Sequence, residues 1–245
     1  MIPQTRASLE KMDSSIAAPQ SWADHKAMLR GTWRQGEHIL IAAPTNAGKT
    51  TLMSEIVNIR RHVVVMVSKV HDDTFRDEFK GWRIVADWKD VRPQDEKVLL
   101  WPKGGRTLRE TVMKQRAVFK RAFDAIGNGR GWCVVIDEMH YMASAQFCNL
   151  DAEIAILHHQ GRSQKLTMVT LTQRPSWIPR IIYSSVTHAY IARTRDVEDL
   201  KKLSNFGGQD AKELGAAVVR LPSRHDYVYI NPQGDLPART VNVRQ

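Results

Sequence analysis

The sequence predicts an α/β fold, a central and mostly parallel sheet flanked by helices. Three observations predict it. From residue 36 onward, short apolar runs of strand length alternate with helical stretches, the pattern of a parallel sheet covered on both faces. The longest apolar runs, 63–67 and Cys133–Ile136, are strand-length and far short of the ~20 residues a membrane-spanning helix needs. The chain of 245 residues is 42% hydrophobic and 25% charged, enough for a real core and unlike a disordered, collagen-like or disulfide-scaffold protein.

Taken in order, residues 1–20 mix Pro, Ser and Gln without periodicity and read as a flexible leader, with no apolar stretch of a secretory signal. Ser21 fits an N-cap for a short helix over 22–29, ended near Gly31. Strands are expected at 38–42, 62–67, 97–100, 132–136, 166–171 and 187–192, with helices at 49–59, 108–126, 150–159 and 197–203. Beyond Gly207 come a short helix over 210–216 and two strand-like pieces, 217–221 and 226–230, which predict a hairpin on the sheet edge. No internal repeat and no convincing linker follows residue 20. Residues 21–245 therefore read as one domain, with a β-rich extension over about 207–245.

The strongest motif is Ala43-Pro44-Thr45-Asn46-Ala47-Gly48-Lys49-Thr50, set between an apolar strand and the helical pattern that begins Thr50-Thr51. That context of strand, loop and helix is what phosphate binding requires. Gly48 lets the backbone approach the phosphates, so that N–H groups from Pro44 through Thr51 can wrap them, Pro44 supplying shape without a donor. Lys49 supplies a point charge for the β- and γ-phosphates, and Thr50 offers its hydroxyl to Mg²⁺. Ala43 stands where the usual first residue is Gly, which predicts some strain at the loop entrance.

The apolar run 132–136 ends in Asp137-Glu138. An Asp at the C-terminal end of a strand beside the phosphate-loop strand can hold the water shell of Mg²⁺, and the adjacent Glu138 can polarise a water for attack on the γ-phosphate. A nucleotide kinase does not need this second acid, because its substrate supplies the hydroxyl. The run 166–171 opens into Thr172-Gln173-Arg174-Pro175, and in a parallel sheet its end lies on the same edge as the phosphate loop. Gln173 could then sense the γ-phosphate or the attacking water, and Arg174 could neutralise phosphate charge.

These three segments together resemble the FtsK/HerA superfamily of DNA-translocating ATPases, over roughly residues 33–195. The resemblance implies a RecA-like (ASCE) P-loop NTPase fold, with ATP and Mg²⁺ as ligands. It makes Lys49 and Thr50 the nucleotide and metal ligands, Asp137 and Glu138 the metal and water-activating acids, and Gln173 the polar sensor. It also implies a homohexameric ring around double-stranded DNA, with an arginine finger donated across the subunit interface. Arg162 is the first choice for that finger, with Arg174 and Arg180 behind it. The turn Ser68-Lys69-Val70-His71-Asp72-Asp73 is similar to a polar turn of that family. With no spanning helix and no separate DNA-reading module visible, the viral genome-packaging type fits better than the segregation type. A capsid or portal-vertex partner and a place in the host cytoplasm or virion follow. The alternatives are a secretion or conjugation motor acting on protein or nucleoprotein, and a non-motor P-loop NTPase.

The charge balance, 36 Lys+Arg against 26 Asp+Glu for a net +10, suits a polyanion partner and also plain solubility. Basic residues concentrate at Lys103, Arg106, Arg109, Lys114, Arg116, Lys120 and Arg121, with Arg109, Arg116 and Lys120 in one helical stripe. Sequence-independent binding needs phosphate contacts and no base readout. The Gly104-Gly105 turn is the expected pore loop, with Lys201-Lys202 and Arg193/Arg195 as competitors. Cys133 and Cys148 are too few for a disulfide framework or a four-cysteine zinc site, and His158-His159 reads as structural.

Overall fold

The computed structural model describes residues 18–129, 131–203, 206, 210–234 and 236–244. Its strands are β1 (Ala18–Gln20), β2 (His38–Ala42), β3 (Val63–Met66), β4 (Arg83–Val85), β5 (Lys97–Leu100), β6 (Cys133–Ile136), β7 (Thr167–Thr172), β8 (Val186–Ala192), β9 (Tyr227–Ile230) and β10 (Arg239–Val241). The helices are α1 (Trp22–Thr32), α2 (Lys49–Val57), α3 (Asp73–Glu78), α4 (Leu108–Gly127), α5 (Met139–Ala143), α6 (Asp151–Gln164), α7 (Arg180–Ser185), α8 (Val197–Leu203) and α9 (Ala211–Arg220).

All ten strands form one sheet in the order β1-β10-β9-β8-β2-β7-β6-β3-β5-β4. From β8 to β4 every neighbouring pair is parallel; β9 runs antiparallel to both β8 and β10. Successive side chains of a strand point to opposite faces, so each central strand feeds two cores. Leu40, Val64, Val134 and Met168 meet Phe119 and Phe123 of α4 and Leu157 of α6 on one face. Ile39, Val65, Val135 and Val169 meet Leu52 and Ile56 of α2, Leu29 of α1 and Phe75 of α3 on the other. Burial on both faces is why these strands read as unbroken apolar runs and do not alternate.

Ser21 caps α1 as expected, accepting from the Asp24 N–H at 3.1 Å. The expected helix over 150–159 runs on to Gln164, through Gly161. That glycine does not stop the helix. It lets α6 press onto the sheet, where a Cβ would stand 2.3 Å from His38 Cε1 and 2.7 Å from the Leu166 carbonyl oxygen. His158 beside it is buried and bonded to Ser185 and Thr170, a structural role.

The tail differs from expectation. Residues 217–220 belong to α9, whose Leu214 and Val218 face the core one turn apart, and a short apolar run of this kind has no periodicity to separate strand from helix. The edge hairpin is instead β9 with β10, and residues 18–20, expected in the leader, pair with β10 in parallel as β1. Residues 1–17 and Gly207 lie outside the described residues. The short edge strand β4, which begins with a charged Arg83, gave no apolar run to read. Among the described residues, no helix is long and apolar enough to cross a membrane.

Candidate functional site

Three strands that adjoin in the order β2-β7-β6 end on one edge of the sheet, and each ends in one of the three motifs. The phosphate loop leaves β2 after Ala42. Ala43 N–H bonds the Thr172 carbonyl of β7 at 3.0 Å, and Ala43 does not take a positive φ, so the expected strain at the loop entrance is absent. The left-handed conformations fall instead on Asn46 (φ 64°) and Gly48 (φ 86°), residue types that tolerate them. Gly48 is the N-cap of α2, so the N–H groups of the first helical turn, which have no partner within the helix, point back toward the loop.

Lys49 folds back over this loop, donating through Nζ to the carbonyls of Ala43 at 2.6 Å and Pro44 at 3.3 Å. Burial lowers its pKa, opposed by the charges of Glu138 and Asp137. The two acids end β6. Asp137 is buried, and its Oδ2 has no hydrogen-bond partner among the described residues; nor has Oε1 of Glu138. Burial pushes the Asp137 carboxyl up to about 7, with Lys69 opposing and Glu138 and Asp72 adding to the rise. A buried, unpartnered carboxylate of this kind is stabilised by a cation.

Gln173 joins the other two motifs. Its Nε2 donates to Glu138 Oε2 at 2.9 Å, and its Oε1 accepts from Thr45 Oγ1 at 3.4 Å. This bridge exists because β7 lies between β2 and β6; the acidic strand, expected beside the phosphate-loop strand, is one strand removed from it, because β7 pairs with both. The expected polar turn also reaches the site. Lys69 is paired with Asp72 at 2.7 Å; burial would lower its pKa, but Asp72 together with the charges of Asp137 and Glu138 raises it. The motifs surround an open cleft of about 400 Å³, lined by Thr45, Asn46, Gly48, Lys49, Thr50, Thr51, Asp137, Glu138 and Gln173 among others. Thr51 also donates its hydroxyl to Glu78 of α3 at 2.6 Å, tying the helix to its neighbour.

The expected arginines are not brought together. Arg162 sits in the last turn of α6 with its backbone beside Gly36, before the start of β2. The five residues of β2 separate that end from the phosphate loop by roughly 17 Å at 3.3–3.4 Å per residue, so Arg162 cannot reach the loop of the same chain. Arg174 is held by Asp196 at 2.6 Å and Asp199 at 3.4 Å. Arg180 is exposed at the start of α7 and makes no ion pair among the described residues.

Of the basic stripe on α4, Lys120 pairs with Asp124 and Glu153, Arg121 with Asp87 and Lys114 with Glu110. Arg109 and Arg116, and Lys103 and Arg106 before them, are exposed without an ion pair among the described residues. The Gly104-Gly105 turn is fastened to the start of α4: Gly105 N–H donates to Thr111 Oγ1 at 2.9 Å and Arg106 N–H to Glu110 Oε2 at 2.8 Å. Lys201 pairs with Glu198, Lys202 lies over the Tyr183 ring, and Arg193 donates to the Leu221 carbonyl.

Sequence reasoning missed Arg224, His225 and Arg244, which also line the cleft. Their segment read as an edge hairpin, and only the antiparallel course of β9 carries them to the phosphate-loop edge.

The fold is that of a P-loop NTPase of the ASCE type, in which a further strand separates the phosphate-loop strand from the acidic one. The sequence matches no protein-family model and no curated protein. Solved structures do match. The DNA-packaging ATPase B204 from Sulfolobus turreted icosahedral virus superposes with TM-score 0.61 at 15% identity, over 84% of this chain and 97% of that one. The genome packaging NTPase B204 from Sulfolobus turreted icosahedral virus 2, in complex with ATP-γ-S, gives TM-score 0.55 at 13% identity over 83% and 95%. The cytoplasmic domain of the type VII secretion ATPase EccC of Thermomonospora curvata gives TM-score 0.51 at 15% identity over 85% of this chain, which spans 25% of that longer one. At such identities the likeness is one of fold, and it extends across almost the whole length of B204.

Proposed function

We propose that this chain is an ATP-hydrolysing motor that translocates double-stranded DNA without regard to sequence, working as a homo-oligomeric, hexameric ring of the viral genome-packaging type. The observation that carries the ATPase part is the hydrogen bond from Gln173 to Glu138, with Thr45 of the phosphate loop on the other side of the same amide. It couples the group that would take a proton from water to the loop that would hold the triphosphate.

Loop N–H groups from Thr45 to Thr51 and the Lys49 ammonium bind the β- and γ-phosphates, the ammonium exchanging its loop carbonyls for phosphate oxygens. The orphaned Asp137 carboxylate and the Thr50 hydroxyl fit Mg²⁺, which when bound neutralises charge on the phosphate oxygens. Glu138 accepts the proton of the attacking water, and the Gln173 amide holds that carboxylate in place. The finger comes from a neighbouring subunit. Arg162 is exposed on the far edge and makes no ion pair among the described residues, as a residue acting outside its own subunit would be, and Arg180 is exposed as well.

DNA meets the exposed Lys103, Arg106, Arg109 and Arg116, with a capsid or portal-vertex component as docking partner in the host cytoplasm or virion. The full-length likeness to a packaging ATPase supports this reading over the others. The test is ATP turnover with and without duplex DNA: stimulation, with DNA binding that weakens steeply as salt rises, supports it. Turnover indifferent to DNA at low salt moves the reading to a secretion-type motor acting on protein or nucleoprotein, which the likeness to EccC favours as the second choice.

A further inference from the structure

We propose that Arg224, His225 and Arg244 form a clamp for the phosphates of the nucleotide, held by the C-terminal strands over the phosphate loop of the same subunit. The proposal rests on the nucleotide reading above and adds a second set of anion ligands from a part of the chain that none of the three motifs includes.

The placement follows from the sheet. β9 runs antiparallel to β8, with Tyr227 opposite Ala192, while Ile191 stands opposite Ala42 at the end of β2. The start of β9 is therefore level with the start of the phosphate loop. Arg224 and His225 precede β9, and Arg244 follows its antiparallel partner β10. Both ends are fastened there. Tyr227 donates its hydroxyl to the Ala47 carbonyl at 2.8 Å. Asp226 accepts from Asn242 Nδ2 and from the Ser223 N–H, each at 2.7 Å, and Asn242 Oδ1 accepts from the Arg244 N–H at 2.9 Å.

The electrostatics point to an anion. Among the described residues neither Arg224 nor Arg244 has a carboxylate partner, whereas Arg174 is committed to Asp196 and Asp199. Instead both guanidinium groups turn to His225, Arg224 Nε at 3.3 Å and Arg244 Nη1 at 3.4 Å from Nε2. A guanidinium has only donors, so Nε2 accepts and the ring proton sits on Nδ1. That Nδ1 is buried without a hydrogen-bond partner among the described residues, 3.4 Å from the point where a Cβ on Gly48 would stand. Two cations and one N–H donor thus converge on a loop built to face phosphate. Like charges held this close repel, and an anion placed against them removes that cost.

The test is equilibrium binding of a fluorescent ATP analogue, with Mg²⁺, to the full chain and to Arg224→Gln, Arg244→Gln and Lys49→Ala. Both arginines are exposed, so the melting temperature of their variants should match the parent. Each Arg→Gln change should weaken binding about tenfold, as loss of one partly exposed charge-assisted hydrogen bond does, and more at low salt; Arg→Lys should recover part of the loss. If both Gln variants bind within twofold of the parent while Lys49→Ala loses binding, the clamp is overturned and the phosphate loop stands. If Lys49→Ala also binds normally, the nucleotide reading falls, and the clamp with it.

Discussion

Replacing Gln173 by Ala should slow ATP hydrolysis without weakening ATP binding. The side chain makes two contacts, a bond of 2.9 Å to the Glu138 carboxylate and a longer one of 3.4 Å from Thr45. Glu138 Oε1 already lacks a partner among the described residues, so the substitution leaves both oxygens of the base unrestrained. A hydrogen bond to a charged group contributes about 1.5–3 kcal/mol. If that energy serves to position the base in the transition state, the loss corresponds to about 10- to 150-fold in kcat, at about 1.4 kcal/mol per factor of ten. Lys49 and the loop N–H groups are untouched, so KM should stay within about twofold, the signature of an interaction made only in the transition state. Thr45→Val removes the weaker contact and should cost less than about threefold. The assay is steady-state ATP turnover in the presence of duplex DNA. A Gln173→Ala variant that keeps kcat within twofold and loses affinity would refute the argument, showing that Gln173 binds substrate and does not hold the base.

Further outcomes follow from the same geometry. Glu138→Gln should keep ATP binding and lose about 10²- to 10⁴-fold in turnover, and normal turnover would remove Glu138 as the base. Gly161→Ala should destabilise the fold by about 1–3 kcal/mol, because the new Cβ would meet His38 and a backbone carbonyl at 2.3 and 2.7 Å; an unchanged melting temperature would contradict that contact. Burial holds His25 down to about 3 and His38 to about 4, and His158 well below its usual value. The unfolded chain therefore takes up these protons first as pH falls below about 6.5, and each histidine removes up to about 2 kcal/mol of stability between pH 6.5 and 5. Asp137, pushed up to about 7, acts in the opposite sense over this range, so the urea midpoint should be followed in an Asp137→Asn background. A midpoint independent of pH there would show that the histidines protonate without cost.

Much of the site was legible because phosphate chemistry is carried by local sequence. The loop around Gly48 needs a strand before it and a helix after it, and both are written in contiguous residues. Asp137 and Gln173 could be placed at strand ends because apolar runs buried on both faces stop where polar residues begin. The short edge strand β4 and the helical course of residues 217–220 were not legible. A three-residue edge strand buries little, and a four-residue apolar run satisfies either period.

By itself, then, the sequence determined an α/β sheet and the residue types that could handle a triphosphate, since hydrophobic period and loop chemistry are local properties. Only the tertiary structure decided that β7 lies between β2 and β6, so that Gln173 touches both the loop and the base. It also decided that β9 runs antiparallel and delivers Arg224, His225 and Arg244 to the cleft, and that Arg162 stands on the opposite edge. Strand order and direction are set by which faces bury together across the whole chain, and no short stretch of residues encodes that.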